Sequence, residues 1–154
     1  DSKPMGKWDA RFCELAKFVS EWSKDPNAKV GAVVFSKRGG DISIGYNGFP
    51  IGVEDSVERL KDQKIKLELI VHAEQNALIA ASSRTIGSTL YVWGKPVCAR
   101  CAGSIIQAGI KTIVYDSDKY QNTPAVIASK RMLDAAGVRY YQYTHTNREI
   151  NITL

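Results

Sequence analysis

Residues 89–115, TLYVWGKPVCARCAGSIIQAGIKTIVY, decide the fold. Two runs rich in β-branched and aromatic residues, TLYVW and KTIVY, flank a segment from Cys98 to Ala108 whose apolar residues recur at helical steps. The stretch therefore reads as strand, helix, strand. Such a unit places its two strands side by side in one sheet with the helix packed on a face. C-terminal to it, the pattern continues with a helix from about Pro124 to Ala136 and a last strand, VRYYQY.

N-terminal to it, a helix is expected from about Ala73 to Ser82. Before that, Asn47 to about Leu69 opens on turn residues, NGFPIG, and becomes strongly charged, EDSVERLKDQKIKLE, which reads mainly as a long surface excursion with room for a short helix. KVGAVVF and DISIGY read as two strands of a hairpin turned by SKRGGD. From Trp8 to Trp22, apolar residues at Phe12, Leu15, Ala16, Val19 and Trp22 mark a first helix that stops near DPN. The order implies an α/β fold: one three-layer α/β/α domain over residues 1–154, with a central five-stranded mixed sheet.

The 154 residues are 44% hydrophobic, enough for a core of that size. The longest apolar runs, such as VGAVVF and ALIAA, fall far short of the roughly 20 residues that cross a bilayer, so a soluble, cytoplasmic protein with no membrane partner is expected. The net charge of +5 suits an anionic partner such as a nucleotide phosphate, or simply a solvated surface. Lysines and acids are interspersed, so no dense basic stripe argues for nucleic acid. Three cysteines, an odd number, give no reason to expect structural disulfides. In YYQYTH, Tyr141 and Tyr143 alternate with Tyr140 and Gln142, as core and surface positions of an edge strand do.

Cys98 and Cys101 stand three apart where the helix begins. Alone, the pair fits a redox dithiol, half of a closed structural zinc site, or half of a catalytic metal site. A dithiol is expected after a first strand, and this pair follows the third. A closed site needs four ligands; Cys13 falls on the apolar stripe of the first helix and His145 in a polar tail. His72, in VHAEQNA, remains. One imidazole and two thiolates leave the fourth tetrahedral position of a zinc ion open, as in catalytic sites. His72 on the entering turn and Glu74 in the first helical turn can approach one point, while Cys98 and Cys101 share one side of the next helix start. Water held by such an ion has a pKa of about 7, and Glu74 is placed to move its proton. That division of labour suits hydrolytic deamination of a nucleobase.

HAEQNA followed by CARCAGSIIQAGIKTIVY resembles the zinc-dependent cytidine and deoxycytidylate deaminase superfamily, whose signature is H-x-E and then P-C-x-x-C. SKDPNAKVGAVV, GYNGFP, IIQAGIK and SDKY are similar to its deoxycytidylate (dCMP) deaminase branch, and the likeness runs from Arg11 to about Val138. The resemblance implies a cytidine deaminase-like fold, His72, Cys98 and Cys101 as ligands of one catalytic Zn2+, and Glu74 as proton shuttle. It also implies Asn27 at the nucleotide sugar, Asn47 in a loop bordering the substrate and a regulatory nucleotide, and Tyr120 near the bound nucleotide. It further implies dCMP as substrate, dCTP as activator and dTTP as inhibitor with Mg2+, and a homo-oligomer, dimer-based and up to a hexamer.

Asn27 and Asn47 have a plainer reading as turn residues. Gly45 and Gly48 suit backbone geometry or close approach to a ligand. Two features depart from the family: Val97 stands between Pro96 and Cys98, and Arg100 occupies a position that is often acidic. The excursion holds no histidine or cysteine, so a second, structural zinc is not expected there. The leading expectation is deamination of dCMP to dUMP and ammonia, supplying thymidylate synthesis, with Lys24, Lys29 or Arg100 meeting the phosphate. The alternatives are another free cytosine nucleotide, nucleoside or base, a polynucleotide, or a zinc-clipped nucleotide-sensing or assembly module.

Overall fold

A computed structural model describes residues 6–36 and 39–144. Helix α1 (Lys7–Ser20) leads into the hairpin β1 (Gly31–Phe35) and β2 (Ile42–Tyr46). Two short helices, α2 (Val57–Lys61) and α3 (Gln63–Leu69), precede α4 (Ala73–Ala81) and a 3-10 turn (Ser82–Thr85). Then come β3 (Thr89–Trp93), α5 (Ala99–Gln107), β4 (Thr112–Tyr115), α6 (Pro124–Ala136) and β5 (Arg139–Gln142). The five strands form one sheet in the order β2-β1-β3-β4-β5. β1 runs antiparallel to β2 and to β3, whereas β3, β4 and β5 are parallel, so the sheet is mixed as expected.

Alternation along each strand sends residues to two faces. Ala32, Val34, Leu90, Val92 and Ile113 pack under α4, α5 and α6 with Ala77, Ala102, Ile105 and Leu133. Val33, Tyr91 and Val114 pack under α1 with Phe12, Cys13 and Ala16. Helices thus cover both faces. Cys13 is buried among apolar side chains, as its place on the helix stripe implied. Asp9 of α1 ties its helix to the sheet by accepting hydrogen bonds from the Tyr91 and Tyr141 hydroxyls at 3.0 and 2.7 Å. Tyr143, just past β5, is buried, while Gln142 is exposed.

Close approach of helix to strand depends on two strand glycines. A Cβ on Gly31 would collide with the Ala16 carbonyl of α1, and one on Gly45 would stand 2.6 Å from the Ala73 carbonyl of α4. Gly45 therefore serves helix packing rather than a ligand, and at Gly48 a Cβ would meet nothing within 4 Å. Trp22, read as the last residue of the first stripe, lies beyond the end of α1. It is exposed and meets Phe18 and Tyr46 edge-on, with ring centroids 5.7 and 6.0 Å apart.

The expected surface excursion is more structured than its charge suggested. Ser56 caps α2 by accepting from the Arg59 amide, and Asp62 caps α3 by accepting from the Lys64 and Ile65 amides. Leu60 and, less expectedly, Lys66 are buried. Of the hairpin turn, Lys37 and Arg38 lie outside the described residues, as does His145. The Ser36 amide donates to the Asp41 carbonyl at 2.9 Å across that turn, and the register pairs Phe35 with Ile42.

Candidate metal and catalytic site

Two helix starts meet at the end of β3. His72 is the N-cap of α4, held in extended conformation, and its amide donates to the Gln75 side-chain oxygen at 3.2 Å. Gly48 pairs with Val71 just before it, fixing the chain that delivers the ring. Cys98 is the N-cap of α5, also extended, and Cys101 lies in its first turn, buried in the core. Val97, the extra residue before Cys98, is buried in the core cluster with Ala102. Packing thus absorbs it without displacing the cysteine from its cap.

The His72 Nδ1 atom lies 3.1 Å from Cys101 Sγ and 3.5 Å from Cys98 Sγ. The three ligand atoms all lie within 4.8 Å of one another, and among the described residues this is the one such cluster. Zinc bonded tetrahedrally to nitrogen and sulfur sets an N···S separation of about 3.6 Å. The spacing and the donor chemistry therefore fit a zinc ion, which would be held by His72, Cys98 and Cys101.

In the metal-free cluster the negative charge sits on Cys98. Cys98 accepts hydrogen bonds from the Cys101 thiol, His72 and the Cys101 amide, which hold its pKa down at about 3 despite burial. Cys101, donating to Cys98 and desolvated, has its pKa raised. The hydrogen bond to Cys98 raises that of His72. Glu74 is the second residue of α4, only 4% exposed, and stands outside the ligand cluster. Burial pushes its carboxyl up to about 7, against the pull of its own backbone amide, of His72 and of Lys95. A carboxyl with a pKa near neutrality can both take and give a proton.

The remaining expected residues are spread more widely. Asn27 is exposed, on the segment between α1 and β1. Asn47 is buried, and its side chain is occupied: Oδ1 accepts from the Val30 amide at 2.9 Å and Nδ2 donates to the Ala28 carbonyl at 2.8 Å. Lys24 forms an ion pair with Asp55 at 3.1 Å. Both line a separate cavity of about 170 Å³ with Trp22, Tyr46 and Phe49, to which no residue of the metal cluster contributes. Tyr120 is half exposed and in the left-handed region at φ 70°.

Lys95 and Lys119 place their ammonium groups 5.6 and 5.4 Å from the Tyr120 ring. Sequence reasoning passed over Lys95, although it lies in the loop that carries the cysteines. The signal available was its position three residues before Cys98. Arg100 is exposed between the ligands, and its charge lowers the pKa of both His72 and Cys101.

Residues 6–117 match the family model described as the cytidine and deoxycytidylate deaminase zinc-binding region. The chain belongs to that family. The probable deoxycytidylate deaminase of Drosophila melanogaster is 37% identical over 159 residues, covering 94% of this chain and 76% of its own. Human deoxycytidylate deaminase is 36% identical over 143 residues, covering 89% and 80%. The dCMP deaminase of cyanophage S-TIM5, in its apo form, has the same fold with a TM-score of 0.69 at 28% identity, covering 92% of this chain and 100% of that one. Within the zinc-binding deaminase superfamily the chain lies with the dCMP deaminases, and the deaminase zinc region coincides with the His72, Cys98 and Cys101 cluster. No helix among the described residues is long and apolar enough to cross a membrane.

Proposed function

We propose that this deaminase converts dCMP and water into dUMP and ammonia. The observation that carries the reading is a buried carboxyl, Glu74, two residues from the histidine of a His/Cys/Cys cluster whose three ligand atoms lie within 4.8 Å of one another. Zinc, when bound, supplies Lewis acidity that brings the pKa of a coordinated water to about 7. Glu74 accepts the proton released as the water oxygen adds to C4 of the cytosine ring, and delivers it to N3. The tetrahedral carbon then expels the amino group, which takes the second water proton by way of Glu74 and leaves as ammonia. Burial of the carboxyl keeps this proton traffic out of bulk water.

The phosphate end is assigned to Lys95 and Lys119, which flank Tyr120 and form no ion pair among the described residues. Lys95 lies in the loop between β3 and Cys98, three residues before that ligand. Lys24 serves this role less well, because Asp55 neutralises it beside another cavity. Homo-oligomeric assembly and regulation by dCTP and dTTP with Mg2+ are part of the same proposal, read from light scattering and from substrate-saturation curves with each nucleotide.

The test is ammonia release by zinc-loaded protein from dCMP, CMP, deoxycytidine, cytosine and guanine. Turnover is expected to be strongest on dCMP; turnover confined to a base or a nucleoside would refute the assignment.

A further inference from the structure

Lys66 is a lysine on the wrong side of its helix. It is 5% exposed, whereas its neighbours Ile65 and Leu67 on α3 are 37% and 57% exposed. A burial pattern this far from the hydrophobic rule marks a position held for another reason. The reason is Asp25, itself 3% exposed, whose Oδ1 lies 3.2 Å from Lys66 Nζ. A buried ion pair needs further hydrogen bonds to survive desolvation, and Asp25 has them. The same Oδ1 accepts from the amides of Asn27 at 2.9 Å and Ala28 at 3.2 Å. Lys66 therefore reaches 41 residues back in the chain to the carboxylate that shapes the segment carrying Asn27.

That segment touches the loop to the cysteines and is linked to the approach to His72 through Asn47. On one side, Asn47 bonds the Ala28 carbonyl and the Val30 amide, and its own carbonyl accepts from Ser23 Oγ at 2.9 Å. The next residue, Gly48, exchanges backbone hydrogen bonds with Val71 at 3.1 and 2.8 Å, and Val71 precedes His72. On the other side, Gly94 begins the loop to Cys98 and lies so near that a Cβ there would come 2.6 Å from the Lys29 carbonyl. Residues 25–30 thus lie against the root of the cysteine pair and are tied to the root of the histidine through Asn47 and Gly48.

We infer that Lys66 is a positioning residue of the active site, acting through Asp25 to hold residues 25–30 and, through them, the approach to His72. The role rests on the deaminase reading only for its kinetic consequence; the anchoring itself is a property of the fold. It gives the charged α2–α3 segment a task at a site whose ligands it does not supply.

Three proteins test this: wild type, Lys66→Met, and the double variant Asp25→Asn with Lys66→Met, which removes both buried charges and carries the test if the single variant does not fold. The double variant is expected to melt nearer to wild type than Lys66→Met does. In both variants at temperatures where they are fully folded, amide exchange is expected to quicken at Asn27, Ala28 and Val71 and not in α6. KM for dCMP is expected to rise about tenfold to a hundredfold with a smaller change in kcat, since small misplacements of binding groups have effects of that size. Zinc content is expected to stay at one ion. Wild-type exchange and kinetics in the folded double variant would overturn the inference, leaving the pair as mere charge compensation. If the wild type turns over no cytosine nucleotide, the deaminase reading fails and local exchange alone decides the anchoring.

Discussion

Gly45 on β2 lies against the first full turn of α4, so close that a Cβ would run into the Ala77 amide nitrogen and stand 2.6 Å from the Ala73 carbonyl oxygen. His72 and Glu74 flank Ala73 in the chain. Helix and strand therefore meet at the helical turn that follows the metal ligand and contains the proton-carrying carboxyl. Gly45→Ala is expected to lift the start of α4, costing about 1–3 kcal/mol as overpacking commonly does, and to lower kcat well beyond what the loss of stability explains. Zinc titration and kcat measured on the folded fraction check this. Gly40→Ala, where a Cβ would meet nothing within 4 Å, controls for the loss of a glycine as such, although its positive φ adds local strain of its own.

Glu74 makes opposite predictions for activity and stability. Glu74→Gln removes the proton carrier and is expected to lower kcat by about 10²- to 10⁴-fold, with one zinc ion still bound. In the metal-free protein the same change removes a buried charge. The folded pKa is raised from 4.5 to about 7, so below pH 4.5 both states hold the proton and the group contributes nothing. Between pH 4.5 and about 7 the unfolded chain ionises first, and the wild type loses stability relative to the variant. Above about 7 the penalty levels off, on the order of 3 kcal/mol. Denaturant titrations of both metal-free proteins from pH 4 to 9 measure the difference; a gap independent of pH would contradict the assignment.

The parts of this fold that repeat a simple pattern were legible in the sequence. Strands β3 and β4, the helix between them and the span of α6 follow from apolar periodicity and from Pro124 at a helix start. The metal cluster was legible because its residue types are scarce: two histidines and three cysteines leave few combinations. What periodicity could not show was long-range compensation. Lys66 looks like one more surface lysine until Asp25 is folded against it. Nothing in the sequence around Asn47 shows the bonds its amide group makes to Ala28 and Val30, and Trp22 looks like core until α1 ends two residues earlier.

Removing the metal tests the cluster apart from the chemistry. Zinc held by His72, Cys98 and Cys101 would join the starts of α4 and α5, and a ligand bound only to the folded state stabilises it by about 4 kcal/mol at a thousandfold excess over its Kd. For a chain of this size that is a melting shift of roughly 8–16 °C. Chelation is expected to produce such a fall, reversed by added zinc. Cys98→Ala and Cys101→Ala should each lose the ion, by elemental analysis, while Cys13→Ala, buried across the sheet under α1, should keep it. Retention of zinc at full occupancy by either ligand variant would refute the cluster.

The phosphate assignment separates substrates that differ by one group. Lys95 and Lys119 converge on Tyr120 without a carboxylate partner among the described residues, so their charge is available to an anion. A hydrogen bond to a charged group is worth about 1.5–3 kcal/mol, or about 10- to 150-fold in kcat/KM. Lys95→Ala and Lys119→Ala are each expected to lose a factor of that order on dCMP, chiefly in KM, and to leave deoxycytidine turnover nearly unchanged. Lys24→Ala, which removes a lysine already paired with Asp55, should affect neither substrate. Equal losses on dCMP and deoxycytidine would show that Lys95 acts elsewhere than on the phosphate.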